Sequence, residues 1–195
     1  VDVQKQAADF RFAADYCASV CTTLAEARSA LEALYEEVKR RAKLNAAHGA
    51  GSSRDLPDPP PSIYLFIDEF MGLITASRPS TVKEIDPDLE AARLEQQADY
   101  EAKRRIAFLT GRVAAEARSA DVHLVLMTQK LQSKTLPPEL SDLRTNAARI
   151  ILGKASYGDL MAALREPDAA PDRGDTIPKG RALWESTEAQ PVQIQ

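Results

Sequence analysis

Cysteine, histidine and aromatic side chains are all scarce in this 195-residue sequence. Two cysteines, Cys17 and Cys21, and two histidines, His48 and His123, make a poor set of zinc ligands at these spacings. Nor do they suggest a disulfide framework, so the thiols read as buried or inert groups in a reducing compartment. Aromatics make up 6% of the residues, and alanine is abundant, which favours helices packed on another layer. No apolar run approaches the roughly 18–20 residues that cross a bilayer, and no signal-peptide pattern is expected. Positive charge is not in excess either: 25 Lys and Arg stand against 29 Asp and Glu, a net charge of −4. That excludes a globally basic nucleic-acid binder but leaves room for a local basic lining. The sequence starts at Val1 rather than methionine, so it is expected to be a piece of something longer.

What remains is the composition of a globular domain with a core, 44% hydrophobic and 28% charged. Val1-Asp2-Val3 reads as the end of a strand entering a loop. Residues 24–47 are expected to be helical, because Leu24, Ala27, Leu31, Leu34, Val38 and Leu44 recur at helical spacings. Thr22 or Thr23 with Glu26 forms a capping-box pattern at the start of this helix. Charged residues fill its other face, Lys39, Arg40, Arg41 and Lys43 complement its dipole, and Gly49 and Gly51 stop it. Residues 49–62 are a Pro/Gly/Ser linker. Ile63 to Ile67 is a continuous apolar run, which predicts a strand buried on both faces of a parallel sheet.

Residues 76–99 are polar and irregular. A second helix is expected over about 89–119, broken or kinked near Gly111. Val122 to Met127 predicts another buried strand, residues 148–152 a third, 157–165 a short helix, and 181–185 a final edge strand. Strands alternating with helices imply an α/β fold around a parallel sheet.

The sharpest chemical feature is the apolar strand that ends in Asp68-Glu69-Phe70. A rigid strand end fixes carboxylates relative to a bound phosphate, and positioning is most of phosphoryl-transfer catalysis. Asp68 would hold a Mg²⁺ ion and Glu69 would polarise the attacking water; the alternative is two solvated acids capping the next helix. The second feature is Thr128-Gln129 at the end of the strand running from His123 to Met127. Ligands in open parallel sheets gather at the carboxyl ends of strands, where Thr128 and Gln129 would reach the γ-phosphate or the water. His123 and Trp184 read as packing residues rather than a ligand and a base-stacking platform.

These segments resemble the FtsK/SpoIIIE translocases. Asp68-Glu69-Phe70 looks like the Walker B segment, and His123 to Gln129 is similar to the family's strand ending in Thr-Gln. Arg144 to Ile150 resembles its Asn…Arg-Ile strand, followed by Lys154-Ala155-Ser156. Gly180-Arg181-Ala182-Leu183 resembles a late Gly-Arg-Gly-aliphatic strand, with Ala182 in place of glycine. Val1 to Lys5 resembles an Asp-Pro-Lys turn, with Ala8-Asp9-Phe10 as its sequel, and Glu36 to Arg41 its Glu…Arg-Arg helix. The resemblance implies a RecA-like P-loop NTPase with a three-layer parallel sheet. Residues 76–99 are then an insertion.

No G-x-x-x-x-G-K-[ST] phosphate loop occurs in the sequence, so the family's Walker A strand and loop are expected upstream of Val1 and the sheet is incomplete. ATP and Mg²⁺ are the implied cofactors. The implied enzyme is an ATPase that is active only as part of a longer protein, the 195 residues alone binding ATP weakly or not at all. The implied partners are further copies in a ring, a hexamer in this family, and double-stranded DNA, in conjugative transfer or chromosome segregation.

Arg149 first and Arg144 second resemble the arginine that such a ring lends to its neighbour's site. Lys130, Lys134 and Arg144 lie in a segment, 130–154, with five cations against two acids, a sign suited to DNA phosphates or to an ordinary solvated loop. The implied location is cytoplasmic, with any membrane anchor outside this chain. Two alternatives stand beside the DNA motor: a protein-translocating ATPase of the type VII secretion kind, and a non-catalytic interaction domain with no nucleotide role.

Overall fold

A computed structural model describes residues 1–129, 136–140, 143–171 and 180–194, without the side chains of Asp9, Arg11, Arg144 and Thr145. The chain forms two compact units, Val1–Thr128 and Gln129–Gln195. Among the described residues no helix is long and apolar enough to cross a membrane.

The first unit opens with a 3₁₀ segment, Ala8–Tyr16, and helix α1, Leu24–His48. The capping box forms as expected: Thr23 Oγ1 accepts from the Glu26 N–H at 3.2 Å, and Glu26 Oε2 accepts from the Thr23 N–H at 3.1 Å. Gly49, at φ 63°, ends the helix in the left-handed conformation that favours glycine. Ala27, Leu31, Leu34 and Val38 are buried along one face. Arg41 is buried with them, at 2% exposure, rather than lying on the charged face. Its guanidinium donates to the Ala120 carbonyl at 3.0 Å, the Pro61 carbonyl at 2.9 Å and Glu37 at 2.7 Å, so a cation closes the chain entries to both strands. Arg40, with Arg41 beside it, holds the Glu37 carboxyl at about 2 against an ordinary 4.5. That stabilisation is complete above the ordinary value and fades as the pH falls towards 2.

Strands β1, Ile63–Ile67, and β2, Val122–Leu126, pair in parallel, with Ile63 opposite Val122 and Ile67 opposite Leu126. A short helix α2, Phe70–Ile74, and the long α3, Pro87–Glu116, connect them. Asp86 caps α3 by accepting from the Asp88 and Leu89 N–H groups at 2.8 and 3.3 Å, and Pro87 takes the first helical position. The helix runs unbroken through Gly111, against expectation, because Ile106, Leu109, Thr110 and Val113 on either side are buried. Half of segment 76–99 is therefore helical rather than irregular.

Leu34 and Val38 of α1, Val113 of α3 and Val122 of β2 form one core, with Ile63 and Leu65 packed on it. Tyr64 and Phe66 point the other way and are 56% and 51% exposed. β1 is thus not buried on both faces: both long helices pack against the same face of the sheet. This unit is two layers, not three.

In the second unit α4, Leu143–Asn146, precedes β3, Arg149–Leu152, and α5, Tyr157–Ala163. β4, Ala182–Glu185, and β5, Val192–Ile194, follow. The sheet order is β3-β4-β5 and every pairing is antiparallel. This corrects one expectation: residues 182–185 form the central strand of this sheet rather than an edge. Leu183 and Ile151 face a core of Leu160, Leu164 and Ala170, while Ile150, Leu152, Trp184 and Val192 leave the opposite face apolar and open.

Removing the Arg41 side chain would leave the buried Ala120 carbonyl and the part-buried Pro61 carbonyl without their donor. Arg41→Ala is expected to cost about 3 kcal/mol or more, and Arg40→Ala, at an exposed neighbour, less than about 1 kcal/mol. Urea unfolding of the two variants checks this, and equal losses would contradict it.

Candidate functional site

The carboxyl ends of β1 and β2 form one rim. The pairing continues past the strands: Met127 N–H donates to the Ile67 carbonyl at 2.9 Å, and Phe70 N–H donates to the Met127 carbonyl at 2.8 Å. Asp68, Glu69 and Thr128 therefore sit at the same edge of the same two strands. Val1 flanks the other side of β1, its amino group donating to the Phe66 carbonyl at 2.8 Å and its carbonyl accepting from Asp68 N–H at 3.0 Å. That is the pattern of a strand end, as expected for Val1-Asp2-Val3.

Glu69 has φ 47° and ψ 46°, a left-handed conformation rare for a residue with a Cβ. The turn places Glu69 at the start of α2, yet its side chain makes no capping hydrogen bond. Of the two readings of the acid pair, helix capping is thus not how Glu69 is used. Strained backbone of this kind persists where the surroundings over-determine it, and concentrates at functional sites.

Asp68 is 17% exposed, and Lys5 Nζ lies 3.7 Å from its Oδ2. The Lys5 N–H donates to Asp2 Oδ1 at 3.0 Å, which closes the 1–7 turn on itself. A cleft of about 180 Å³ opens here, lined by Gln4, Asp68, Glu69, Gly72, Asp99 and Lys103 among others. Gly72 leaves the space that the Gln4 amide fills: a Cβ there would lie 1.6 Å from Gln4 Nε2. Lys103 donates to the Gly72 and Thr75 carbonyls at 3.1 and 3.0 Å and so holds the end of α2. None of Gln4, Gly72, Asp99 or Lys103 was singled out by the sequence, where they are spread over a hundred residues with no shared pattern.

The other expected site residues are more scattered. Thr128 is half-buried, and Gln129, exposed, follows it as the first residue of the second unit. Lys130, Lys134 and the Arg144 side chain lie outside the described residues. Arg149 is 10% exposed and pairs with Glu185, which is fully buried. Burial works to raise the Glu185 carboxyl. The Arg165 and Glu166 N–H groups and Arg149 outweigh it, so the carboxyl sits below its ordinary value. To serve a neighbouring subunit, Arg149 would have to leave this buried acid. His123 is a packed strand residue as expected, stacked on Tyr64 at 4.7 Å and bonded to Asp121 at 3.0 Å.

Among the described residues no cluster of three or more His, Cys, Asp or Glu side chains converges on a metal position. The donor set still suits Mg²⁺, which takes one or two carboxylates and completes its shell with phosphate and water. A cation, Lys5, already lies against Asp68. A cleft of about 180 Å³ is below the roughly 300 Å³ of a small-ligand pocket, so a whole nucleotide does not fit within it.

Comparison with solved structures finds the pCW3 conjugation coupling protein TcpA, monomer form with ATPγS, at a TM-score of 0.70 and 20% identity. That match covers 98% of this chain and 49% of the coupling protein. The chain has an FtsK-like fold. The cytoplasmic domain of the Thermomonospora curvata type VII secretion ATPase EccC also matches this FtsK-like fold, at a TM-score of 0.50 and 22% identity, over 85% of this chain and 17% of that one. The chain thus spans about half the length of the coupling protein and less of the secretion ATPase. No family model and no curated protein matches the sequence.

The left-handed turn at Glu69 predicts an inverted preference. Glu69→Gly is expected to be about 1 kcal/mol more stable than Glu69→Ala, because only glycine adopts this conformation without strain. Alanine wins at an ordinary helical position. Denaturant unfolding of the pair checks the order, and a more stable alanine variant would mean the turn is not kept.

Proposed function

We propose that this chain is the metal-binding and sensing half of an ATP-driven motor domain of the FtsK/SpoIIIE type, with double-stranded DNA as its cargo. The observation that carries the reading is the shared rim: two parallel strands bring an acid pair and Thr128 to one edge, with Glu69 held in a strained turn. The match to a conjugation coupling protein over nearly the whole chain supports DNA as the cargo.

At this rim Asp68 would hold Mg²⁺, which when bound with ATP neutralises charge on the transferring phosphate. Lys5, which faces Asp68 at 3.7 Å, would turn from the carboxylate to the phosphate side of the site. Glu69 would orient the attacking water and take up its proton. Thr128 and Gln129 would bond to the γ-phosphate and the water, and so report hydrolysis to the segment that follows. Phosphate cradling by backbone N–H groups has no counterpart in this sequence, so ATP binding needs a glycine-rich loop from outside these residues. On this reading the working form is a ring, a hexamer, in the cytoplasm. Lys130, Lys134 and Arg144 would face DNA phosphates, and Arg149, once released from Glu185, or Arg144 would serve the neighbouring site.

The likeness to a type VII secretion ATPase favours a second reading, in which the same core moves protein instead of DNA.

Glu69→Gln in the full-length protein tests the catalytic reading. It keeps the size of the side chain and removes the base. ATP hydrolysis is expected to fall by about 10²–10⁴-fold with nucleotide binding retained. Unchanged hydrolysis would overturn the assignment and favour a non-catalytic interaction domain.

A further inference from the structure

Two oppositely charged features of the first unit lie outside the nucleotide site, except that Asp99, near the end of one of them, lines its cleft. One is a broad groove of about 830 Å³ at the amino ends of β1 and β2, walled by Lys39, Lys43, Arg54, Arg118, Glu116 and Asp121 among others. Its acids are already engaged. Glu116 is held by Arg112 and by the Tyr35 hydroxyl, and Asp121, 4% exposed, by Arg54 at 2.6 Å, by Ser62 and by His123. Lys43 and Arg118 are exposed and have no hydrogen-bond or ion-pair partner among the described residues. The groove therefore presents net positive charge on a chain that is negative overall.

The other feature is the segment 76–101, with seven acids against three cations. Its excess of acid equals that of the whole chain. Its apolar side chains are also uncovered: Ile85 is 100% exposed, Val82 70% and Leu89 57%. Asp88 and Glu95, seven residues apart on α3 and so on one helix face, are exposed and have no side-chain partner among the described residues.

One rigid element carries both features. The first turns of α3 belong to the acidic arm, and Ala115 and Glu116 in its last turn wall the groove. Thirty residues of unbroken helix make a rod of about 45 Å, so the arm and the groove of one copy cannot meet.

We propose that the acidic arm of one copy seats in the basic groove of the next. Asp88 and Glu95 face Lys43 and Arg118, and Ile85 and Leu89 cover the wall formed by Ala42 and Ala115. The contact is heterologous, joining two different surfaces of the same chain. It therefore closes into a ring or runs on as a filament. It does not rest on Asp68 or Glu69, and it gives segment 76–99 a role that the nucleotide site does not.

A second copy fits this groove better than a polyphosphate does. A phosphate chain would leave the apolar arm uncovered.

Charge swapping tests the proposal. Sedimentation velocity of the purified chain at low salt should show concentration-dependent association that weakens as salt rises, because the pairs are exposed. Lys43→Glu with Arg118→Glu should weaken association at least about tenfold, and so should Asp88→Lys with Glu95→Lys. All four substitutions in one chain should restore it. A mixture of the two double variants should associate where each alone does not, and a misfolded variant would fail in the mixture too. A chain that stays monomeric at every salt and concentration would overturn the proposal, as would association indifferent to both reversals or not restored by the swap. Groove reversal that abolishes binding of a DNA duplex while leaving sedimentation unchanged would also overturn it, and would give the groove to nucleic acid.

Discussion

The parallel pairing of β1 with β2 is the constraint on which the first unit depends. With Ile67 opposite Leu126, the residues that follow each strand leave the sheet at the same edge. A slip of one residue would turn every side chain of the slipped strand to the other face. Ile63 and Leu65 would lose their place against Leu34, Val38 and Val113, so burial of one face fixes the register. The left-handed turn at Glu69 follows from it, since it lets the chain enter α2 while the Phe70 N–H still reaches the Met127 carbonyl. Geometry set by the core thus decides where the acid pair stands.

Buried charge does a second job in this molecule, and it is a structural one. Arg41 fastens α1 to the entries of both strands. Asp121 gathers Arg54, Ser62 and His123 at the opposite end of the sheet from Asp68, and Arg54 with Ser62 keeps its carboxyl ionised well below the usual carboxylate range. Glu185 accepts from Arg149 and from the Arg165 and Glu166 N–H groups inside the second unit. Breaking any of these would strand a charge or a carbonyl away from water, which costs more than the intact pair contributes. Among the exposed charges, those of the arm are mostly acidic and those of the groove mostly basic.

Much of this was legible in the sequence wherever the signal is local. The Thr23–Glu26 box, the helical spacing from Ala27 to Val38 and the apolar run ended by Asp68-Glu69 each state their structure within a few residues. The parts that were not legible depend on partners far along the chain. Arg41 sits in a run of cations and reads as surface, but its acceptors are Pro61 and Ala120. Gly111 reads as a break because an isolated glycine weakens a helix by about 1 kcal/mol, less than the burial of Ile106, Leu109 and Val113 supplies. Residues 149–152 and 182–185 read as strands, but only pairing decides between parallel and antiparallel. At the site, Asp68 and Glu69 announce themselves as acids after an apolar strand. Gln4 and Lys5 were visible only as part of a turn, and Gly72 and Lys103 only through their contacts.

The role of the rim turns on where a metal–triphosphate binds. A structure of the full-length protein with ATPγS and Mg²⁺ measures this directly. The metal is expected on the Asp68 carboxylate, with the terminal phosphates between Glu69 and Thr128. Nucleotide bound elsewhere, with Asp68 still facing Lys5 and remote from the metal, would contradict that role.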